Sequence, residues 1–144
     1  MGSIQMCTFT LDRYLFGVDV RQVQEVLRSQ PMTRVPLAPT LVRGLINLRG
    51  QIVTAFDLRE RLGLKPRDPD VLPMNVVLRK DEGPVALLVD DIGDVVELDE
   101  SKLERPPSTL RGPAAELVRR VVQMPGALLC VMDTDRATGT AVDG

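Results

Sequence analysis

The chain repeats itself, and that repeat limits its fold more than any other feature. Written without a gap above one another, VRGLINLRGQIVTAFDL from Val42 and VRRVVQMPGALLCVMDT from Val118 set apolar residue on apolar residue. They also place Gly50 on Gly126 and Asp57 on Asp133. With one inserted residue, VDVRQVQEV from Val18 and VDDIGDVVEL from Val89 align too, placing Asp19 on Asp90 and Glu25 on Glu97. Two matches in the same order point to a duplicated unit, hence to two similar lobes of about five short strands each. Short strands at close spacing favour closed barrels over an open sheet, because closure removes edges that recruit other chains. The expected fold is therefore mainly β: two packed five-stranded barrels with short helices. At 144 residues the chain forms one domain, able to bury roughly 70% of its unfolded surface. The lobes are read as about residues 15–73 and 74–124, leaving open an exchange of the N- and C-terminal strands between them.

Local signals fill in the elements. Residues 4–10 and 14–18 read as strands around Leu11, Asp12 and Arg13, a hairpin spacing. Asp19 with Gln22 resembles a capping box, which with Val20, Val23 and Leu27 on one face predicts a short helix ended by Pro31. Residues 41–48 and 51–56 form a second hairpin. Asp57 and Glu60 then start a short helix, and Gly63 is placed where a helix end wants a positive φ. KPRDPDVLP, residues 65–73, reads as a surface crossing, and ERPPSTLRGPAAE, residues 104–116, as a loop. The final TDRATGTAVDG is polar and expected to fray.

The absences exclude whole classes of chemistry. There is no histidine, which removes Ser-His-Asp triads, Cys-His dyads, His-ligated metals and phosphohistidine relays. Without histidine the only plausible base for a nucleophile is lysine, and Lys65, Lys80 and Lys102 all fall in polar surroundings, where an amine stays too basic. Cys7 and Cys130 lie far apart in apolar runs and read as buried thiols rather than as a zinc or redox pair. Neither a phosphate loop nor a metal or cofactor motif is present. Acid pairs such as Asp90 with Asp91 read as turn residues that hydrogen-bond the backbone. Net charge is −2, which names no partner. The aromatic residues Phe9, Tyr14, Phe16 and Phe56 read as core, so a nucleic-acid-binding barrel lacks its stacking platforms. The N-terminus has no signal-peptide pattern and no run reaches a membrane span, so the expectation is a cytoplasmic, non-enzymatic protein.

What remains is a contact surface. Arg49 stands at the tip of the second hairpin before Gly50, a turn glycine matched by Gly126. A guanidinium there is either an ordinary solvated turn residue or a recognition group held in place by a carboxylate. Spacing alone favours the solvated turn residue.

The stretches LDRYLFGVDVRQVQEVLR, RVPLAPTLVRGLINLRGQIVTAFDLRERLGL and VALLVDDIGDVVELDESKLERPP resemble the CheW-like domain family of bacterial chemosensory arrays, over about residues 4–135. GLINLRG followed by DLR is the most specific part. The resemblance implies one such domain spanning residues 1–144, built as two SH3-like barrels around a shared apolar core. It further implies a non-catalytic adaptor between chemoreceptor signalling tips, of methyl-accepting proteins, and the regulatory domain of a histidine autokinase. By that resemblance the receptor tip lies in a groove between the barrels, lined by Val20, Val23, Glu25, Arg43 and Arg49, with Glu25 holding Arg49. It assigns no kinase-contacting residue and no cofactor. Two alternatives stand beside it: a ring subunit that binds only other lobes of this kind in a gliding or pilus pathway, and a small nucleic-acid-binding barrel. The chain departs from the family pattern at Thr54, where many relatives carry proline. Its polar C-terminus departs too, and is expected to leave an apolar face less covered.

Overall fold

Met74–Leu78 and Val85–Val89 are apolar almost throughout, and strands of that kind need cover on both faces. A computed structural model describes residues 2–139 and shows how they obtain it. The strands are β1 (Ser3–Leu11), β2 (Tyr14–Asp19), β3 (Val23–Leu27), β4 (Val42–Leu48), β5 (Gln51–Asp57), β6 (Met74–Leu78), β7 (Val85–Val89), β8 (Asp91–Asp99), β9 (Val118–Met124) and β10 (Ala127–Met132). Short helices α1 (Leu58–Leu62), α2 (Pro113–Leu117) and α3 (Thr134–Ala137) follow or precede strands. The strands form two five-stranded sheets, in the orders β8-β1-β2-β10-β9 and β3-β6-β7-β5-β4.

The two sheets match strand for strand, but not by simple halves of the chain. The first repeat runs from β1 to α1 and the second from β6 to α3; each sheet takes two strands from one and three from the other. One lobe is thus residues 23–89, and the other is residues 3–19 with 91–132, not the 15–73 and 74–124 expected from sequence. The reason is burial: β6 and β7 fill the middle of the sheet that holds β3 and β5, where both their faces are covered. Equivalent crossings bend each sheet round. Thr33 exchanges backbone hydrogen bonds of 2.9 and 2.8 Å with Leu45 on β4, and Glu104 exchanges two of 2.9 Å with Val121 on β9.

Three apolar cores result. Ile46, Leu48, Val53, Val77 and Leu88 fill one barrel, and Met6, Leu98, Val122 and Leu129 fill the other. The largest lies between the lobes, where Phe9, Leu11, Phe16 and Cys130 of one meet Val76, Leu78, Leu87 and Val89 of the other. The helix residues Leu58, Leu62, Leu117 and Ala137 complete it. Both cysteines are free and buried, as their apolar runs foretold, and burial raises the pKa of each thiol.

Several local expectations change. Residues 20–27 are not a helix. Asp19 does cap, accepting from the Arg21 N–H at 2.9 Å, but only Val20–Gln22 turn before β3 begins. The β-branched Val23 and Val26 favour extended backbone, and β6 offers them a ladder. The loop of residues 104–116 ends in α2, which begins with Pro113 and buries Ala114 and Leu117. Asp133 caps α3 as Asp57 caps α1, and Ala137 is fully buried, so the polar tail is folded at least to Thr138. The rest of the expected frayed tail, residues 140–144, lies outside the described residues. Lys80 is not simply solvated: its Nζ donates to Thr134 Oγ1 at 2.9 Å and to Asp135 at 2.7 Å. Thr54 is no edge residue, because β5 lies between β4 and β7.

Candidate functional site

The β4–β5 hairpin closes in two residues, and its backbone explains the sequence at its tip. Arg49 has φ +51° and Gly50 φ +87°, the paired left-handed conformation of a type I′ turn, which twists in the same sense as the strands it joins. Asn47 supports the turn, its Oδ1 accepting from the Gly50 N–H at 2.9 Å. The matching hairpin of the other lobe carries Pro125 and Gly126, the latter with φ +75°. Of these two matching hairpins, β4–β5 carries a cation at its tip and β9–β10 does not.

That cation is held. The Arg49 guanidinium donates to the carboxylate of Glu25 on β3, and Gln24 donates to the same oxygen at 3.4 Å. The hydrogen bond from Arg49 lowers the pKa of Glu25, and Glu25 in turn raises that of Arg49. Arg49 keeps 67% of its side chain exposed against 22% for Glu25, so the acid is the anchor and the guanidinium the presented group.

The other expected site residues divide. Val20 and Val23 are half-buried and turn toward the core between the lobes. They sit beside Glu25 along the chain but serve packing first. Arg43 is separate: it lies at the far end of β4 from Arg49, roughly 20 Å along the strand. There it donates at 2.8 Å to Asp57, the acid that also caps α1 through the Arg59 N–H at 3.0 Å. Gly50 and Gly126 each follow a strand at a hairpin tip with positive φ.

Two members of the hairpin surface were missed. Asn47 positions the turn, and Ile52, opposite it in the ladder, is 58% exposed. The signal was available, since Val53 and Ala55 face the barrel and Ile52 is an apolar residue on the outward phase of the strand. The arrangement presents a fixed cation beside an apolar side chain. Among the described residues no cluster of three metal-ligating side chains occurs, and no helix is long and apolar enough to cross a membrane.

Known proteins share both sequence and shape with this chain. A family model for the CheW-like domain matches residues 5–141. The chain is 29% identical over 135 residues to the chemotaxis protein CheW of Treponema pallidum, covering 91% of this chain and 79% of that protein. It is 28% identical to the chemotaxis protein CheW of Rhizobium meliloti, covering 93% and 86%. In shape it is similar to the scaffolding protein TtCheW of Thermoanaerobacter tengcongensis, with a TM-score of 0.82 and 26% identity over 92% of this chain and 90% of that one. With the family model spanning nearly every residue and two matching barrels beneath it, the chain belongs to the CheW-like domain family.

Proposed function

We propose that the protein is a non-catalytic adaptor that couples chemoreceptor signalling tips to a histidine autokinase in a bacterial chemosensory array. Membership of the family and the relatives' description as chemotaxis proteins support this reading. One observation carries the receptor contact: the Glu25–Arg49 pair at an exposed hairpin tip. A guanidinium already held in one rotamer loses less side-chain entropy when it meets a receptor helix. Glu25, Arg49 and the exposed Ile52 form the centre of the contact, with Val20 and Val23 shaping its base. Arg43, tied to Asp57, contributes through β4 rather than by direct contact.

The test is co-sedimentation of the protein with a receptor signalling fragment and the kinase, with kinase autophosphorylation as the second readout. Arg49→Ala is expected to weaken receptor binding at least tenfold and to abolish kinase activation, with thermal unfolding unchanged. Retained binding in that variant would return Arg49 to a turn residue. Binding to the kinase regulatory domain with none to the receptor fragment, even for the unaltered protein, would instead make it a ring subunit.

A further inference from the structure

The lobe formed by β1, β2, β8, β9 and β10 carries a concavity of about 830 Å³ that contains none of the hairpin-site residues. Its floor is apolar, with Ile4, Met6, Val118 and Val131, and its rim carries Arg21, Arg119, Arg120 and Arg136. Two of these arginines are occupied: Arg21 is bound to Asp19 at 2.7 Å, and Arg136 faces Asp133 at 3.8 Å. The rim acid Glu116 faces Arg61 at 3.9 Å. Arg119 and Arg120 are exposed, and among the described residues neither side chain closes an ion pair or hydrogen bond, although Arg119 acts through space on the carboxylate of Asp135, which is itself bound to Lys80.

The duplication shows that this is a difference between lobes. Arg119 stands where Arg43 stands in the other lobe, each at a break in strand register. Arg43 has the carboxylate of Asp57 at 2.8 Å. Asp133, the counterpart of Asp57, instead accepts from the Arg136 N–H at 3.2 Å within its own helix. Arg120 stands where Gly44 stands. There the crossing chain leaves no room, since a Cβ on Gly44 would lie 2.8 Å from the Thr33 oxygen. The lobe with β9 therefore presents two adjacent guanidiniums over an apolar floor; Asp135 acts on Arg119 only through space, and among the described residues no carboxylate closes on either fork as Asp57 does on Arg43.

We infer that this groove is a docking surface for an acidic, amphipathic segment of a protein partner. Carboxylates of that segment meet the forks of Arg119 and Arg120, and its apolar side chains rest on the half-buried Ile4 and Val131, with Met6 just beneath them. A nucleic acid fits less well: the large aromatic rings Phe9 and Phe16 are fully buried, so the groove offers bases nothing to stack on. The inference does not depend on the hairpin contact, because the two surfaces share no residue.

The test uses the full chain and a synthetic helical peptide of about 14 residues, roughly 21 Å long, with leucine at helical spacing and glutamate between. Fluorescence anisotropy at about 50 and 500 mM salt measures affinity, and methyl resonances of Ile4, Met6 and Val131 locate the peptide. The expected result is binding that shifts those methyl groups, weakens with salt, weakens at least tenfold in R119E/R120E and is unchanged in Arg49→Ala. R119Q/R120Q, a milder change, serves if charge reversal fails to fold. Equal binding by these variants, equal binding of a scrambled peptide of the same composition, tighter binding of a single-stranded oligonucleotide, or no peptide binding would each overturn the inference.

Discussion

Arg49 occupies a position where its residue type is a poor choice for the backbone. Left-handed conformations cost most L-residues about 1–2 kcal/mol, and asparagine tolerates them best after glycine. Arg49→Asn should therefore raise stability by about 0.5–1 kcal/mol in urea unfolding while losing receptor binding, which separates the turn's preference from the guanidinium's use. The oddity was legible in the sequence as a charged residue before a turn glycine, but its partner was not: Glu25 lies on another hairpin-length of chain, and only the family resemblance named it. Asp90 shows the opposite case, a residue that reads as an ordinary turn acid and proves to be a junction. Its oxygens accept from Arg59 at 2.8 and 2.6 Å, from Arg67 at 3.2 and 2.9 Å and from the Asp12 N–H at 2.7 Å. Burial pushes its pKa up, but the hydrogen bonds from Arg59, Asp12 and Arg67 outweigh that and hold it at about 2, well below the usual carboxylate range. A carboxyl lowered in the fold stabilises above its unfolded pKa and loses that contribution as pH falls through its folded one. Asp90→Asn should cost roughly 2 kcal/mol at neutral pH. The gap from the unaltered protein should narrow as pH falls from about 4 toward 2, read from urea midpoints across that range.

At the level of elements, the hairpins and the α1 signals were readable because their determinants are local. Turn residues, a capping aspartate and a glycine at φ +69° after the last helical turn act within a few residues of one another. The segment from Val20 to Leu27 misled because a helical spacing of valines is also a run of β-branched residues, and what decides between them is the neighbouring strand β6. The helices α2 and α3 were too short to show periodicity, although the match of Asp133 with Asp57 already marked the start of α3. Gly44 illustrates an element held by a crossing. A methyl group there meets the Thr33 carbonyl, so Gly44→Ala should destabilise by about 1–3 kcal/mol. Amide hydrogen exchange should locate the loosening at Thr33 and Leu45, whose mutual hydrogen bonds close that barrel.

For the whole molecule, the consequential feature is that each barrel borrows strands from both repeats, and that the largest core lies between the barrels. Neither lobe can unfold while the other keeps its covered face, so calorimetry should show one cooperative transition with equal calorimetric and van't Hoff enthalpies. Leu78→Ala, which opens a cavity in that shared core, should cost about 2–5 kcal/mol and shift the single transition without splitting it. By itself the sequence determined that there would be two similar β lobes, where their hairpins turn, that both thiols are inside, and that histidine-dependent chemistry is absent. Those conclusions rest on spacing and composition, which act along the chain. Which strands share a barrel, that Glu25 reaches Arg49 while Arg43 turns to Asp57, and that Asp133 does not close on Arg119 as Asp57 closes on Arg43, were settled in three dimensions. These are contacts between segments distant in sequence, chosen by burial and packing, and no local pattern records them.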